Sequence, residues 1–242
     1  MARFGAFLAL VALLSCSASM AQDNTYLNLK WPGGMCSGKN KCCFPCTMSN
    51  PNDFKIDYLA RNFRSGAPSC NTDPFFVNTV QSYISDLYEN WPGLRCPVET
   101  GVLAWGTAWD DNGVCSGLNQ FNYFSKTLNL FKSSRLLQLL AAKGVIPSKH
   151  WNYTQSEVLN AINEGLGLRS SALIHCGSNK SGIIRTVRLC ADITASRFID
   201  CPNPLPSTCA QNVQLLPVAI SGTHEDEEAA ARTTDNIEMV VN

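Results

Sequence analysis

Cysteine content constrains this chain more than any other feature. The sequence holds twelve, and Cys16 falls in an N-terminal leader: Arg3, an apolar run from Phe4 to Leu14, then Ser19 and Ala21 at the −3 and −1 spacing of a signal-peptidase site. That run is too short to span a bilayer and reads as a secretory signal peptide over residues 1–21. Eleven cysteines remain: Cys36, Cys42, Cys43, Cys46, Cys70, Cys96, Cys115, Cys176, Cys190, Cys201 and Cys209. In an oxidising compartment such a set is a disulfide framework. Zinc is the rival reading for the crowded Cys42, Cys43 and Cys46. Adjacent cysteines are poor joint ligands for one tetrahedral metal, however, and no histidine lies near them in sequence. The odd count leaves one thiol free or bridging to another chain.

Lys+Arg and Asp+Glu are both 19, so the chain lacks the basic field on which nucleic-acid binders usually rely. No later segment approaches the roughly 20 apolar residues of a spanning helix, and the mature protein is expected to be soluble. About 220 mature residues, with 45% hydrophobic content overall, suffice for one substantial core.

Alternation over Tyr26–Trp31, ended by Pro32-Gly33-Gly34, and over Phe54–Leu59 predicts two strands. Phe76, Val80, Tyr83, Ile84, Leu87 and Trp91 recur at helical spacing, stopped by Pro92-Gly93. Gln120–Leu140 reads as helix in two pieces broken around Ser133-Ser134, and Thr154 with Glu157 as a capping box for a helix to about Gly165. From Leu173 onward LIH, IIRTVRLCADI, RFID and VQLL read as short strands. Helices in the middle and strands at both ends indicate α+β. No linker interrupts residues 22–220. Residues 221–242, with the acidic run after His224, read as a disordered or removable tail. Asn152-Tyr-Thr and Asn179-Lys-Ser are glycosylation sequons.

Six motifs in order, WPGGMC (31–36), CCFP (42–45), ENWPGLRCP (89–97), WDDNGVC (109–115), GVIP (144–147) and RFIDCP (197–202), make the chain resemble the ribonuclease T2 family, in its plant S-like branch. The resemblance runs from about Tyr26 to Ile220. It implies a disulfide cross-linked α+β fold with a central antiparallel sheet packed with helices. It also implies the pairs Cys36–Cys42, Cys43–Cys96, Cys70–Cys115, Cys176–Cys209 and Cys190–Cys201, leaving Cys46 unpaired and able to bridge chains.

That family cleaves RNA by attack of the 2′-hydroxyl on phosphorus, which requires a general base, a general acid and positive charge on the developing phosphorane. Its histidines come from motifs resembling FTIHGLWP and HEWEKHGTC. Here the first reads FKIDYLAR, with Asp57 at the histidine position. The second reads TAWDDNGVC: Thr107 and Asn112 stand at histidine positions, Ala108 at the glutamate and Asp111 at the lysine. Thr and Asn have no pKa suited to proton transfer near neutrality, and Asp57 and Asp111 bring negative charge to a phosphate site. The resemblance therefore implies a homologue without catalytic residues, needing no cofactor, metal or partner, with weak or absent RNA binding. Storage proteins of this kind, vacuolar or extracellular, are the leading comparison. Two other readings stay open: an inactive RNA- or nucleotide-binding defence protein, to which Lys30, Lys39 and Lys41 would lend positive surface, and a weak ribonuclease using Asp57 as base. His150, His175 and His224 read as surface or structural residues.

Overall fold

A computed structural model describes residues 23–37, 42–44, 49–63, 70, 72–96, 101–177, 182–202 and 207–218. Residues 1–22 and 219–242, where the sequence reading expects a signal peptide and a tail, lie outside the described residues, as do Lys39, Lys41, Cys46 and Asn179.

The centre is a four-stranded antiparallel sheet in the order β2-β1-β5-β4, formed by β1 (Asn24–Lys30), β2 (Lys55–Asn62), β4 (Ala172–His175) and β5 (Thr186–Ala191). Period-two alternation sends Leu27, Leu29, Ile56, Leu59, Ile174, Val187 and Leu189 to one face, where all are fully buried. Cross-strand pairs such as Leu27 with Leu59 and Leu189 stack that face into a continuous apolar layer. A two-stranded ladder, β3 (Tyr153–Thr154) with β6 (Asn212–Val213), lies apart from it. Fold class and sheet are those expected: α+β, antiparallel, with helices packed on the sheet.

Helices α2 (Ile84–Asn90), α3 (Gly101–Asp111), α4 (Gln120–Ser134), α5 (Leu136–Ala142) and α6 (Gln155–Leu166) supply the rest of the core. Thr154 caps α6 through a reciprocal capping box with Glu157, and Gly167 ends it in the left-handed region at φ 69°. The α4–α5 break falls at Arg135, whose φ of 42° cannot continue a right-handed helix.

Local differences from the sequence reading have local causes. Pro32-Gly33-Gly34 starts the short helix α1 (Pro32–Met35), because proline is pre-set for a first helical turn. The helix expected from the spacing of Phe76 to Trp91 divides into a 3₁₀ stretch, Val77–Tyr83, and α2. Of RFID only an isolated bridge, Phe198 to Ala191, pairs, and of VQLL only Val213 enters a strand.

Five disulfides tie the elements together: Cys36–Cys42, Cys43–Cys96, Cys70–Cys115, Cys176–Cys209 and Cys190–Cys201. They are the pairs that the family resemblance implies. No helix among the described residues is long and apolar enough to cross a membrane.

Candidate functional site

The register between β1 and β2 shifts at Asn28/Leu29: Asn28 faces Tyr58 and Leu29 faces Ile56, so Asp57 is the extra residue of a bulge. A bulge re-aims a side chain out of the alternation. Here it presents Asp57 and Tyr58 together to one cavity of about 330 Å³. The indole of Trp91 holds the bulge by donating to the Asp57 carbonyl at 3.0 Å.

The opposite wall is α3. Trp105 and Trp109 turn inward, their indole N–H groups donating to Trp91 O (2.8 Å) and Asp73 O (2.7 Å). That rotation turns Ala104, Thr107, Ala108 and Asp111, at i, i+3, i+4 and i+7, toward the cavity, with Asn112 just past the helix end. The buried Tyr123 hydroxyl joins the two walls. It lies 3.0 Å from the Leu59 carbonyl on β2 and 3.2 Å from the Ala108 carbonyl on α3, and it accepts from the Leu59 N–H at 3.3 Å. Burial pushes this phenol's pKa well above the ordinary tyrosine range, so it stays protonated.

Asp57, Thr107, Ala108, Asp111 and Asn112, which lie up to 55 residues apart in sequence, thus face one another across one cavity. None of the cavity's lining residues is a histidine. His150 is exposed in a loop, and His175 sits half-buried at the end of β4, where burial and the charge of Arg188 lower its pKa. Neither lines the cavity, and His224 lies outside the described residues. Asn152 is exposed. No group of three or more histidine, cysteine or carboxylate side chains suited to a metal occurs among the described residues.

Lys30, offered by the sequence reading as positive surface near the first loop, lines the cavity. Strand alternation puts it on the face of Tyr26 and Asn28, and the cavity opens there. Its ammonium donates to the Pro92 carbonyl at 2.9 Å and lies 3.8 Å from Asp57 Oδ1. Lys30 is also the cross-strand partner of Lys55, which is 1% exposed. Two like charges opposite one another oppose pairing, and each lysine has its own carboxylate, Asp57 for Lys30 and Glu89 for Lys55 at 3.2 Å. Met35, Tyr58, Leu94, Leu103 and Ala104 provide apolar wall, and Arg95 lies exposed at the rim.

Residues 22–201 match the model of the ribonuclease T2 family. The chain belongs to that family. It is 31% identical over 220 residues to "Intracellular ribonuclease LX" of Solanum lycopersicum, covering 88% of this chain and 92% of that protein. It is 28% identical over 180 residues to "Ribonuclease-like storage protein" of Panax ginseng, covering 73% of this chain and 74% of the other. Among solved structures, RNase NT in complex with 5′-AMP superposes with a TM-score of 0.72 at 33% identity, over 81% of this chain and 98% of that one. This family member therefore resembles both proteins named ribonucleases and a protein named for storage.

Proposed function

We propose that this protein is a non-catalytic member of the ribonuclease T2 family that serves as a nitrogen store in the vacuole or outside the cell. One observation carries the reading: the five positions at which the family motifs place proton-transfer and charge-stabilising groups line a single cavity as Asp57, Thr107, Ala108, Asp111 and Asn112. Each missing proton-transfer group removes typically about 10²- to 10⁴-fold in rate. Asp57 is further committed to Lys30 as its counter-ion.

The storage role draws on five cross-links, each worth about 2–4 kcal/mol and together suited to a protease-resistant particle. It also draws on the 21 asparagines and on the storage-named relative. The disulfides and the leader support passage through the secretory pathway. The test is RNA hydrolysis by the purified mature protein beside a variant carrying Asp57→His, Thr107→His, Ala108→Glu, Asp111→Lys and Asn112→His. The reading expects no cleavage by the natural protein and measurable cleavage by the variant. Cleavage by the natural protein that disappears in Asp57→Asn would instead identify a weak ribonuclease with an aspartate base. For storage, the protein must dominate the soluble protein of its tissue, and trace levels induced only by infection would overturn that role.

A second reading, an inactive RNA- or nucleotide-binding defence protein, is favoured by the two cations Lys30 and Arg95 in the cavity. It expects RNA affinity at low salt that falls steeply as salt is added.

A further inference from the structure

We propose that the loop at residues 149–152 is a proteolytic processing site, where an endopeptidase that cuts after basic residues splits the protein into two disulfide-closed units with no covalent bond between them. The proposal deepens the storage reading and rests on it only in naming this cut as the step that opens the store. Hydrolysis of the Lys149–His150 peptide bond consumes one water and leaves a carboxylate on Lys149 and an amine on His150.

The disulfides divide the chain in two. Cys36–Cys42, Cys43–Cys96 and Cys70–Cys115 close the part before residue 116, and Cys176–Cys209 and Cys190–Cys201 close the part after residue 175. Every cysteine beyond Cys115 is used in those last two bridges, so no disulfide spans a peptide bond between Cys115 and Cys176. The central sheet divides along the same line: β1 and β2 belong to the first part, β4 and β5 to the second, and the seam is the β1–β5 pair. One cut between 116 and 175 therefore leaves the two parts joined by strand pairing and packing alone, as at Leu27 opposite Leu189. A cut between Cys43 and Cys96, by contrast, leaves the chain cross-linked.

Six basic residues lie in this span, and the fold protects the peptide bonds after five of them. Lys126 and Lys132 are within α4, Arg135 joins α4 to α5, and Lys143 closes α5 in a hydrogen-bonded turn. Arg169 is exposed, but its main chain is fastened on both sides. The N–H groups of Arg169 and Ser170 donate to Asp200 at 2.7 and 2.8 Å, and the carbonyls of Ser170 and Ser171 accept from Cys201 and Cys190. Lys149 is placed differently. It begins a run of exposed residues, Lys149, His150, Trp151 and Asn152, that belongs to neither helix nor strand, and Trp151 is 56% exposed. The N–H groups of His150 and Trp151 donate within the loop itself, to the Ser148 hydroxyl at 3.0 and 3.2 Å. The Tyr153 hydroxyl closes the base of the loop on the N–H and carbonyl of Ile146. Drawing this segment into a protease cleft thus disturbs few bonds to the rest of the molecule, and exposed loop tips are the preferred places for nicking.

The experiment incubates the natural mature protein with trypsin, the probe for this specificity, under native conditions and resolves the products on denaturing gels without reductant. Any glycan at Asn152 stays in place, because a glycan that blocks the loop would block the processing too. Cuts inside a disulfide loop leave one band, so two large bands report a cut between 116 and 175. By mass spectrometry the expected pair ends at Lys149 and begins at His150. Lys149→Gln is expected to slow its appearance at least tenfold, Lys149→Arg to restore it, and Arg169→Gln to leave it unchanged. The cut protein should lose about 3–4 °C in Tm for each tenfold dilution, because its unfolding releases two molecules, while the intact protein loses none. Fragments that fall apart at once meet the same expectation at its limit. No pair of bands, a pair formed at another bond, an undiminished rate in Lys149→Gln, or a dilution-independent Tm in the cut protein would overturn the proposal. Trace abundance in the tissue would overturn the storage reading and leave the position of the cut unaffected.

Discussion

The indole N–H of Trp91 donates to the main-chain carbonyl of Asp57, 3.0 Å away, and so fastens the bulge that faces the cavity to the core beneath it. Trp91 is fully buried and packs on Phe124 with ring centroids 5.2 Å apart. The position of residue 57 therefore depends on the scaffold and not on which side chain stands there. Trp91→Phe would leave the Asp57 carbonyl without this donor and open space beside Phe124. The expected loss is about 2–4 kcal/mol, the sum of an unsatisfied buried acceptor and lost packing. Urea denaturation at neutral pH with an unchanged m-value checks it, and a loss within about 0.5 kcal/mol would show that the bulge needs no fastening.

Tyr123 does for the two cavity walls what Trp91 does for the bulge. Its hydroxyl touches Leu59 on β2 and Ala108 on α3, and nothing else joins these two backbone sites through one side-chain atom among the described residues. Tyr123→Phe keeps the ring contacts to Trp109 and Phe124 and removes only the bridge. A destabilisation of about 1–3 kcal/mol is expected, together with faster amide hydrogen exchange at Leu59 and in the last turn of α3. Exchange that speeds up uniformly over the whole molecule would argue against a local role for the hydroxyl.

Particular residues show what the chain disclosed in advance. Leu27 and Leu29 announce β1 because apolar alternation has a period of two, and Thr154 with Glu157 announces the start of α6 because a capping box is a local pattern. The bulge at Asp57 is not local. It depends on which residues β1 sets opposite it, so KIDYLA reads as plain alternation when taken alone. Lys55 is harder still: a lysine reads as solvent-facing, and its burial is offset chiefly by the distant Glu89. The cavity joins residue 57 to residues 104–112, and motif resemblance, rather than periodicity, was the signal that grouped five of its lining residues.

Glu89 gives the fold a dependence on acid. Burial acts to raise its pKa, but the donors of Ser49 and Asn50 and the charge of Lys55 outweigh burial and hold it at about 2, against an ordinary 4.5. A carboxyl whose folded pKa lies below its unfolded value contributes stability that is present above the unfolded pKa and fades as pH falls through the folded one. Unfolding midpoints in urea should therefore drop between about pH 4.5 and pH 2. Glu89→Gln should flatten that part of the profile while lowering stability at neutral pH, because the buried Lys55 loses its partner charge. An equally steep acid limb in the variant would assign the effect to other carboxylates.

Lys30 makes a prediction about any attempt to restore catalysis. In a variant carrying the five family-type substitutions, the imidazole at position 57 stands beside an ammonium that now lies 3.8 Å from the Asp57 carboxylate. A neighbouring positive charge disfavours the imidazolium and lowers its pKa, by one unit for every 1.36 kcal/mol of repulsion. The pH–rate profile of the restored protein should accordingly be displaced toward acid. Adding Lys30→Gln, which removes the charge, should move the limb set by this imidazole upward by about one unit. Paired profiles of kcat/KM on RNA, with and without Lys30→Gln, read the shift directly. Coincident limbs would mean that the Lys30 charge is not felt at position 57. The neutralisation of Lys30 by Asp57 would then lose its electrostatic basis, and the bulge would be left as the only reason for their proximity.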